Sequence, residues 1–235
     1  NLLARAARPD RVFAGTSVAA FAAAQGVALP AAVQVVASEQ LAPDERLAAT
    51  VFAEYPQREN FELARAWWQA AGRPEAALVE AARAFALGAH RLTRVAEVDG
   101  VTYWNDSKAT NFHAVEAALG RFTKAEPVLL IAGGKAKGGD IAAFVARIAG
   151  RVQHLFLIGE TKAVLAAACR AHAVAHTLCG SLGEAVRAAA TLGRPGAQVL
   201  LSPGFASFDM FRSYEDRGRQ FEQLVHELRA APSLR

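Results

Sequence analysis

The sequence predicts an α/β fold with a Rossmann-like, mostly parallel, doubly wound sheet. Two observations carry this. From Gly88 onward, short apolar runs alternate with amphipathic helical patterns, the rhythm of consecutive βα units. Three polar clusters fall at the ends of apolar runs, which is where such folds expose ligands. The composition agrees: 53% hydrophobic and 20% charged residues over 235 positions is globular, and the length holds one large domain or two small ones.

Before Gly88 the pattern is less regular. Arg11 to Ala14 reads as a short strand, and Ser17 as the cap of a helix through Ala24 that Gly26 stops ahead of Pro30. Val33 to Ala37 reads as a second strand. Asn60 to Ala71 reads as a helix with Phe61, Leu63, Ala64, Trp67 and Trp68 on one broad face, the two Trp serving as core packing. Gly72 ends it, and Pro74 opens a helix to about Phe85.

After Gly88 the elements follow in order. Arg94–Val98 and Val101–Trp104 form a hairpin across Asp99-Gly100, because Asp-Gly suits the positive φ of a tight turn. Helix 112–121, strand 128–131, helix 140–149, strand 154–158 and helix 161–172 come next. A short strand near Thr177-Leu178, helix 181–191, strand 198–201 and a last helix over 214–229 complete the series.

Composition also excludes classes. A pI near 9.4 accompanies a net charge of only +4, with arginines scattered and no basic run interleaved with aromatics. Anionic small molecules fit this better than nucleic acid. Cys169 and Cys179 lack metal-ligand spacing and read as buried free thiols, which fits a reducing, cytoplasmic setting. No apolar run reaches the roughly 18–20 residues of a membrane span, and the start is not a signal peptide. Without an initiator Met, the chain is expected to begin inside a longer protein. The histidines form no zinc-type pattern, so no metal ligands are assigned.

Four clusters carry the candidate chemistry. The turn Asn105-Asp106-Ser107-Lys108-Ala109-Thr110-Asn111 holds more hydrogen-bonding groups than a turn needs. Gly133 to Asp140 is a glycine-rich loop in which Lys137 offers a cation to a carboxylate or phosphate; it is not a Walker A loop. Leu201 to Asp209 brings Ser207 and small residues, with no nucleophile elbow. His90-Arg91 sits where the two parts join, and its guanidinium suits phosphate.

In this order the clusters resemble the C-terminal part of the Mur ligase family, in its D-glutamate-adding type. The shared features are His90-Arg91, the Asn-Asp-Ser-Lys-Ala-Thr-Asn string, Gly133-Gly134 with Lys137, Leu201-Ser202-Pro203 with Ala206-Ser207, and Glu215, Arg217 and Gly218. The resemblance covers residues 57–230. It implies an ATP-dependent ligase of peptidoglycan synthesis that joins D-glutamate to UDP-N-acetylmuramoyl-L-alanine through an acyl phosphate, needs Mg²⁺, and acts as a monomer. It implies that His90, Arg91, Asp106 and Asn60 bind the nucleotide, with Asp106 on the ribose and Arg91 near the γ-phosphate. It implies that Lys108, Thr110, Lys137, Ser207 and Tyr214 bind D-glutamate, and that Lys108 and Arg91 are catalytic. Residues 1–87 are then the back of a central ATP-binding domain and 88–235 the C-terminal ligase domain.

Departures from the family's pattern are specific. Glu59 stands for its His and Leu63 for a second Asn beside Asn60, which bears on adenine, and Tyr214 stands for its usual Phe. The P-loop and the carbamylated Lys are not in this chain, so the chain alone is expected to lack ligase activity. The alternatives are a related Mur or folylpolyglutamate-type ligase with another amino acid, and a non-catalytic ligand-binding module.

Overall fold

A computed structural model describes residues 12–37, 41–54 and 57–230, and the chain divides into two units, Asn1–Leu87 and Gly88–Arg235. In the first unit β1 (Val12–Gly15) pairs in parallel with β2 (Val33–Val36), with α1 (Thr16–Ala24) between them in sequence. Arg11 lies outside the described residues. Ser17 is not the cap of α1: the helix starts one residue earlier with no side-chain cap, and Ser17 Oγ donates to Glu59 Oε1 at 3.2 Å. A short 3₁₀ turn, Glu45–Leu47, precedes α2 (Gln57–Ala70) and α3 (Glu75–Ala84). Their shared core is Leu47, Phe61, Val79 and Ala82.

The broad apolar face expected on α2 is corrected. Phe61 is buried, but Ala64 is exposed and Trp67 is 42% exposed. Glu62 is buried in their stead, bridged to Arg58 at 2.9 Å and Arg65 at 2.7 Å. The indoles are not core packing. Arg73 lies 5.9 Å from the Trp67 ring and 4.9 Å from that of Trp68, whose N–H donates to the Pro74 carbonyl at 2.8 Å. An indole has a flat π face and a polar N–H, so a cation and a carbonyl satisfy it at a surface.

The second unit begins with β3 (Thr93–Val98) and β4 (Val101–Asn105), antiparallel across Asp99 and Gly100, whose φ values of 51° and 77° are those of the tight hairpin turn. Then come α4 (Phe112–Leu119), β5 (Val128–Gly133), α5 (Ile141–Ile148), β6 (His154–Ile158), α6 (Lys162–Ala171), β7 (His176–Leu178), α7 (Leu182–Leu192), β8 (Gln198–Leu201) and α8 (Tyr214–Ala230). Asn111, Asp140 and Ser181 cap α4, α5 and α7, each side-chain oxygen accepting a backbone N–H of the first turn.

The sheet order is β3-β4-β8-β5-β6-β7, parallel except for β3. Strand residues alternate between two cores, as the period of two requires. Leu130, Leu155, Leu157 and Leu200 pack with Val115, Phe144 and Leu165 of α4, α5 and α6. Leu129, Ile131, Phe156, Val199 and Leu201 pack with Val186 of α7 and with Phe221 and Val225 of α8. Each large side chain buried this way contributes about 1.5–3 kcal/mol. Both cysteines are free and buried, and among the described residues no helix is long and apolar enough to cross a membrane.

One topological fact positions the site. β8, last in sequence, inserts between β4 and β5, so Asn105 pairs with Leu201 and Leu201 with Ile131. β4 and β8 end at one level and β5 runs on to Gly133, and the loops after the three strands leave the sheet side by side.

Candidate functional site

Backbone hydrogen bonds stitch these loops together. The Asp106 amide donates to the Leu201 carbonyl at 2.8 Å, Gly204 to Ala109 at 2.9 Å, and Gly133 to Pro203 at 2.9 Å. Lys135 and Ala206 exchange both of their bonds, at 2.8 and 3.2 Å, which joins the glycine loop to the segment carrying Ser207. Gly134 makes that approach feasible: its φ is 144°, and a Cβ there would fall on the Ala206 carbonyl oxygen. The Lys108 amide donates to the His90 carbonyl at 3.0 Å and so brings the fourth cluster to the first.

Asp106 is an anchor within this assembly. Oδ1 accepts from the Leu92 amide at 3.1 Å and Oδ2 from the Ser202 hydroxyl at 2.7 Å. Burial pushes its pKa up to about 7, against the opposing pull of those hydrogen bonds. A carboxylate has about four lone-pair positions, so both oxygens retain acceptor capacity.

His90 is packed rather than free. It is 5% exposed and has a left-handed backbone, φ 63°. Its Nδ1 lies 2.8 Å from Asn105 Nδ2 and 3.3 Å from Glu222 Oε1. Asn105 Oδ1 accepts from the Ser107 amide, so Nδ2 faces inward, within 2.7 Å of Glu222 Oε1 and 3.1 Å of the Gly218 carbonyl. Gly218 leaves the room: a Cβ there would enter the imidazole. The neighbouring Arg91 is exposed, and its charge favours the ionised form of Asp106.

The Lys108 ammonium lies 3.7 Å from the centroid of the Tyr214 ring. Thr110 is half-buried, Lys137 exposed on its loop, and Ser207 buried. The structure therefore brings His90, Arg91, Asp106, Lys108, Thr110, Lys137, Ser207 and Tyr214 onto mutually linked segments at one end of the sheet. Asn60 is in the other unit, exposed on α2, where its Nδ2 donates to Gln57 Oε1 at 3.0 Å.

Sequence reasoning gave no role to Asn105, Ser107, Ser202, Glu222 or Arg217. Arg217 is the most consequential. It is fully buried, and donates from Nε to Ser107 Oγ at 2.9 Å, from Nη2 to the Ser107 carbonyl at 2.8 Å and from Nη1 to the Phe205 carbonyl at 3.2 Å. Burial pushes its pKa down to about 10, with Asp209 opposing, so it stays charged at neutral pH. The signal was present: Arg217, Phe221 and Val225 recur every four residues, which puts an arginine on the buried stripe of α8.

With this geometry in hand, residues 90–205 match the family model described as Mur ligase, glutamate ligase domain. The chain carries a Mur ligase domain. It is 44% identical over 175 residues to the UDP-N-acetylmuramoylalanine–D-glutamate ligase of Streptomyces coelicolor, covering 72% of this chain and 36% of that protein. To the ligase of the same name from Desulfotalea psychrophila it is 47% identical over 145 residues, 62% of this chain and 31% of that one. The chain thus spans about a third of these curated relatives. Among solved structures, E. coli FolC in complex with ADP aligns at a TM-score of 0.59 with 20% identity, over 92% of this chain and 52% of that one. A murein peptide ligase from Psychrobacter arcticus aligns at 0.57 with 16% identity, over 77% and 38%. These two likenesses concern the fold, which the Mur ligase domain here shares.

Proposed function

We propose that the protein carrying this chain is an ATP-dependent amide-bond ligase that adds D-glutamate to UDP-N-acetylmuramoyl-L-alanine in peptidoglycan synthesis. The observation that carries the reading is the interlocking of the loops after β4, β5 and β8, which bear Lys108, Lys137 and Ser207. Two ammonium groups and a hydroxyl suit a dicarboxylate amino acid. The relatives of that name support the choice of D-glutamate. Gly88–Arg235 is then the glutamate ligase domain, and Asn1–Leu87 the back part of the ATP-binding domain, with Asn60 as its adenine contact.

In this reading Lys108 and Lys137 hold the amino-acid carboxylates, Thr110 and Ser207 donate hydrogen bonds, and the Tyr214 ring orients Lys108. The bound amine is thereby aimed at an acyl phosphate formed from ATP and the substrate carboxylate. Arg91, exposed beside the anchored His90, carries positive charge to the γ-phosphate, and Asp106 accepts from the ribose hydroxyls. Attack gives a tetrahedral intermediate whose negative charge the flanking cations stabilise, and phosphate departs as the amide forms. Mg²⁺ is implied by the family, but the described residues hold no group of three or more His, Cys, Asp or Glu that fits a metal. The roles assigned to this chain therefore rest on its own side chains.

The test is phosphate release by the full-length protein with ATP, UDP-N-acetylmuramoyl-L-alanine and a series of amino acids. Release that requires D-glutamate is the expected result. Release with another amino acid in its place overturns the assignment of substrate.

A further inference from the structure

Arg217 has an environment that its packing alone does not require. It is fully buried near the start of α8, and its three hydrogen-bond acceptors are all neutral. Desolvating a cation is costly, and an opposite charge usually offsets it. Asp209 supplies an opposite charge without a hydrogen bond to the guanidinium, whose donors join Ser107, the neighbour of Lys108, to Phe205, two residues before Ser207. Ser107 Oγ, which accepts from Nε, in turn donates to the Tyr214 carbonyl at 2.8 Å. One side chain is thus tied to the segments that carry Lys108, Ser207 and Tyr214.

The residues assigned to the nucleotide are held by other bonds. Asp106 is fixed by the Leu92 amide and Ser202, and His90 by Asn105 and Glu222. Neither set includes Arg217. Loss of Arg217 therefore loosens one half of the site and leaves the anchors of the other half in place.

We propose that Arg217 is a positioning residue for the amino-acid half of the site, which keeps Lys108, Ser207 and Tyr214 in register for a dianionic amino acid. The proposal rests on the ligase reading above. Its planar fork serves Ser107 and Phe205 at once, a geometry that a lysine ammonium does not reproduce.

The experiment is steady-state kinetics of the full-length protein with Arg217→Lys and Ser107→Ala, measuring KM for D-glutamate and ATP separately, alongside thermal unfolding. Arg217→Lys should raise the D-glutamate KM about tenfold and Ser107→Ala about threefold, with the ATP KM within about twofold of wild type. A variant that loses thermal stability while both KM values hold, or one whose KM values rise together, overturns the proposal. If Arg217→Lys does not fold, Ser107→Ala decides, since it removes one acceptor and leaves both carbonyls. A wild-type protein with no D-glutamate-dependent turnover would instead remove the ligase reading, and this assignment with it.

Discussion

The Lys108 ammonium stands 3.7 Å from the centroid of the Tyr214 ring, so the first loop of the site and the start of α8 meet through a cation–π contact. The attraction comes from the ring face and not from the phenol hydroxyl. Tyr214→Phe should therefore leave the D-glutamate KM within about twofold, whereas Tyr214→Leu should raise it about fivefold, in line with roughly 0.5–2 kcal/mol for such a contact. Equal effects from the two substitutions in steady-state kinetics would assign the hydroxyl the larger role.

Lys137 is exposed on a loop whose position the Lys135–Ala206 bridge fixes. A charge-assisted bond to a carboxylate is worth roughly 1.5–3 kcal/mol, so Lys137→Ala should raise the D-glutamate KM about tenfold or more. Ser207→Ala, which removes a neutral donor, should act in the same direction and less. A change confined to the ATP KM in Lys137→Ala would mean that this loop serves the nucleotide.

Gly218 admits the His90 ring, and His90 precedes Arg91. Gly218→Ala forces the imidazole away from Asn105 and Glu222 and should cost about 1–3 kcal/mol of stability, the usual range for overpacking. Because Arg91 moves with His90, the ATP KM should rise more than the D-glutamate KM. Denaturant unfolding and separate KM measurements check both parts. A stable variant with unchanged ATP kinetics would detach Arg91 from this cluster.

Asp106 makes stability depend on pH. Its folded pKa is about 7, raised from 3.8 mainly by burial. Between those values the folded state binds the proton that the unfolded state has lost, so stability falls as pH rises from about 4 to about 7 and is level above. The loss is on the order of a few kcal/mol, since one pKa unit is about 1.4 kcal/mol. Asp106→Asn retains an acceptor for the Leu92 amide and cannot ionise. It should flatten the difference in unfolding free energy between pH 5 and pH 8 relative to wild type. Identical pH dependence in the two proteins would mean that Asp106 titrates normally.

Much was legible in the sequence because it depends on local chemistry. Period-two apolar runs and period-3.6 faces marked the strands and helices after Gly88 to within a few residues, and Asp99-Gly100 marked the hairpin because few other pairs accept two positive φ values. The Asn-Asp-Ser-Lys-Ala-Thr-Asn string and the glycine loop stood out because a turn does not need such groups. Local patterns misled at α2, where the two indoles found Arg73 and the Pro74 carbonyl while Glu62 was drawn inward by Arg58 and Arg65. Burial of a charge depends on partners that periodicity does not register.

Tertiary structure alone decided that β8 enters between β4 and β5, because strand order follows from how helices cover both faces and not from chain order. That insertion sets residues 105–111, 133–139 and 202–209 beside one another. It also decided that His90 is wedged against Gly218, that Asp106 is clasped by Ser202, and that Arg217 links Ser107 to Phe205. Ser202 and Asp106 are 96 positions apart and Arg217 and Ser107 are 110 apart. The sequence by itself determined which side chains were available; the strand order and the packing of α8 against the sheet determined which of them meet, because a buried polar group must find its partner wherever the fold has put one.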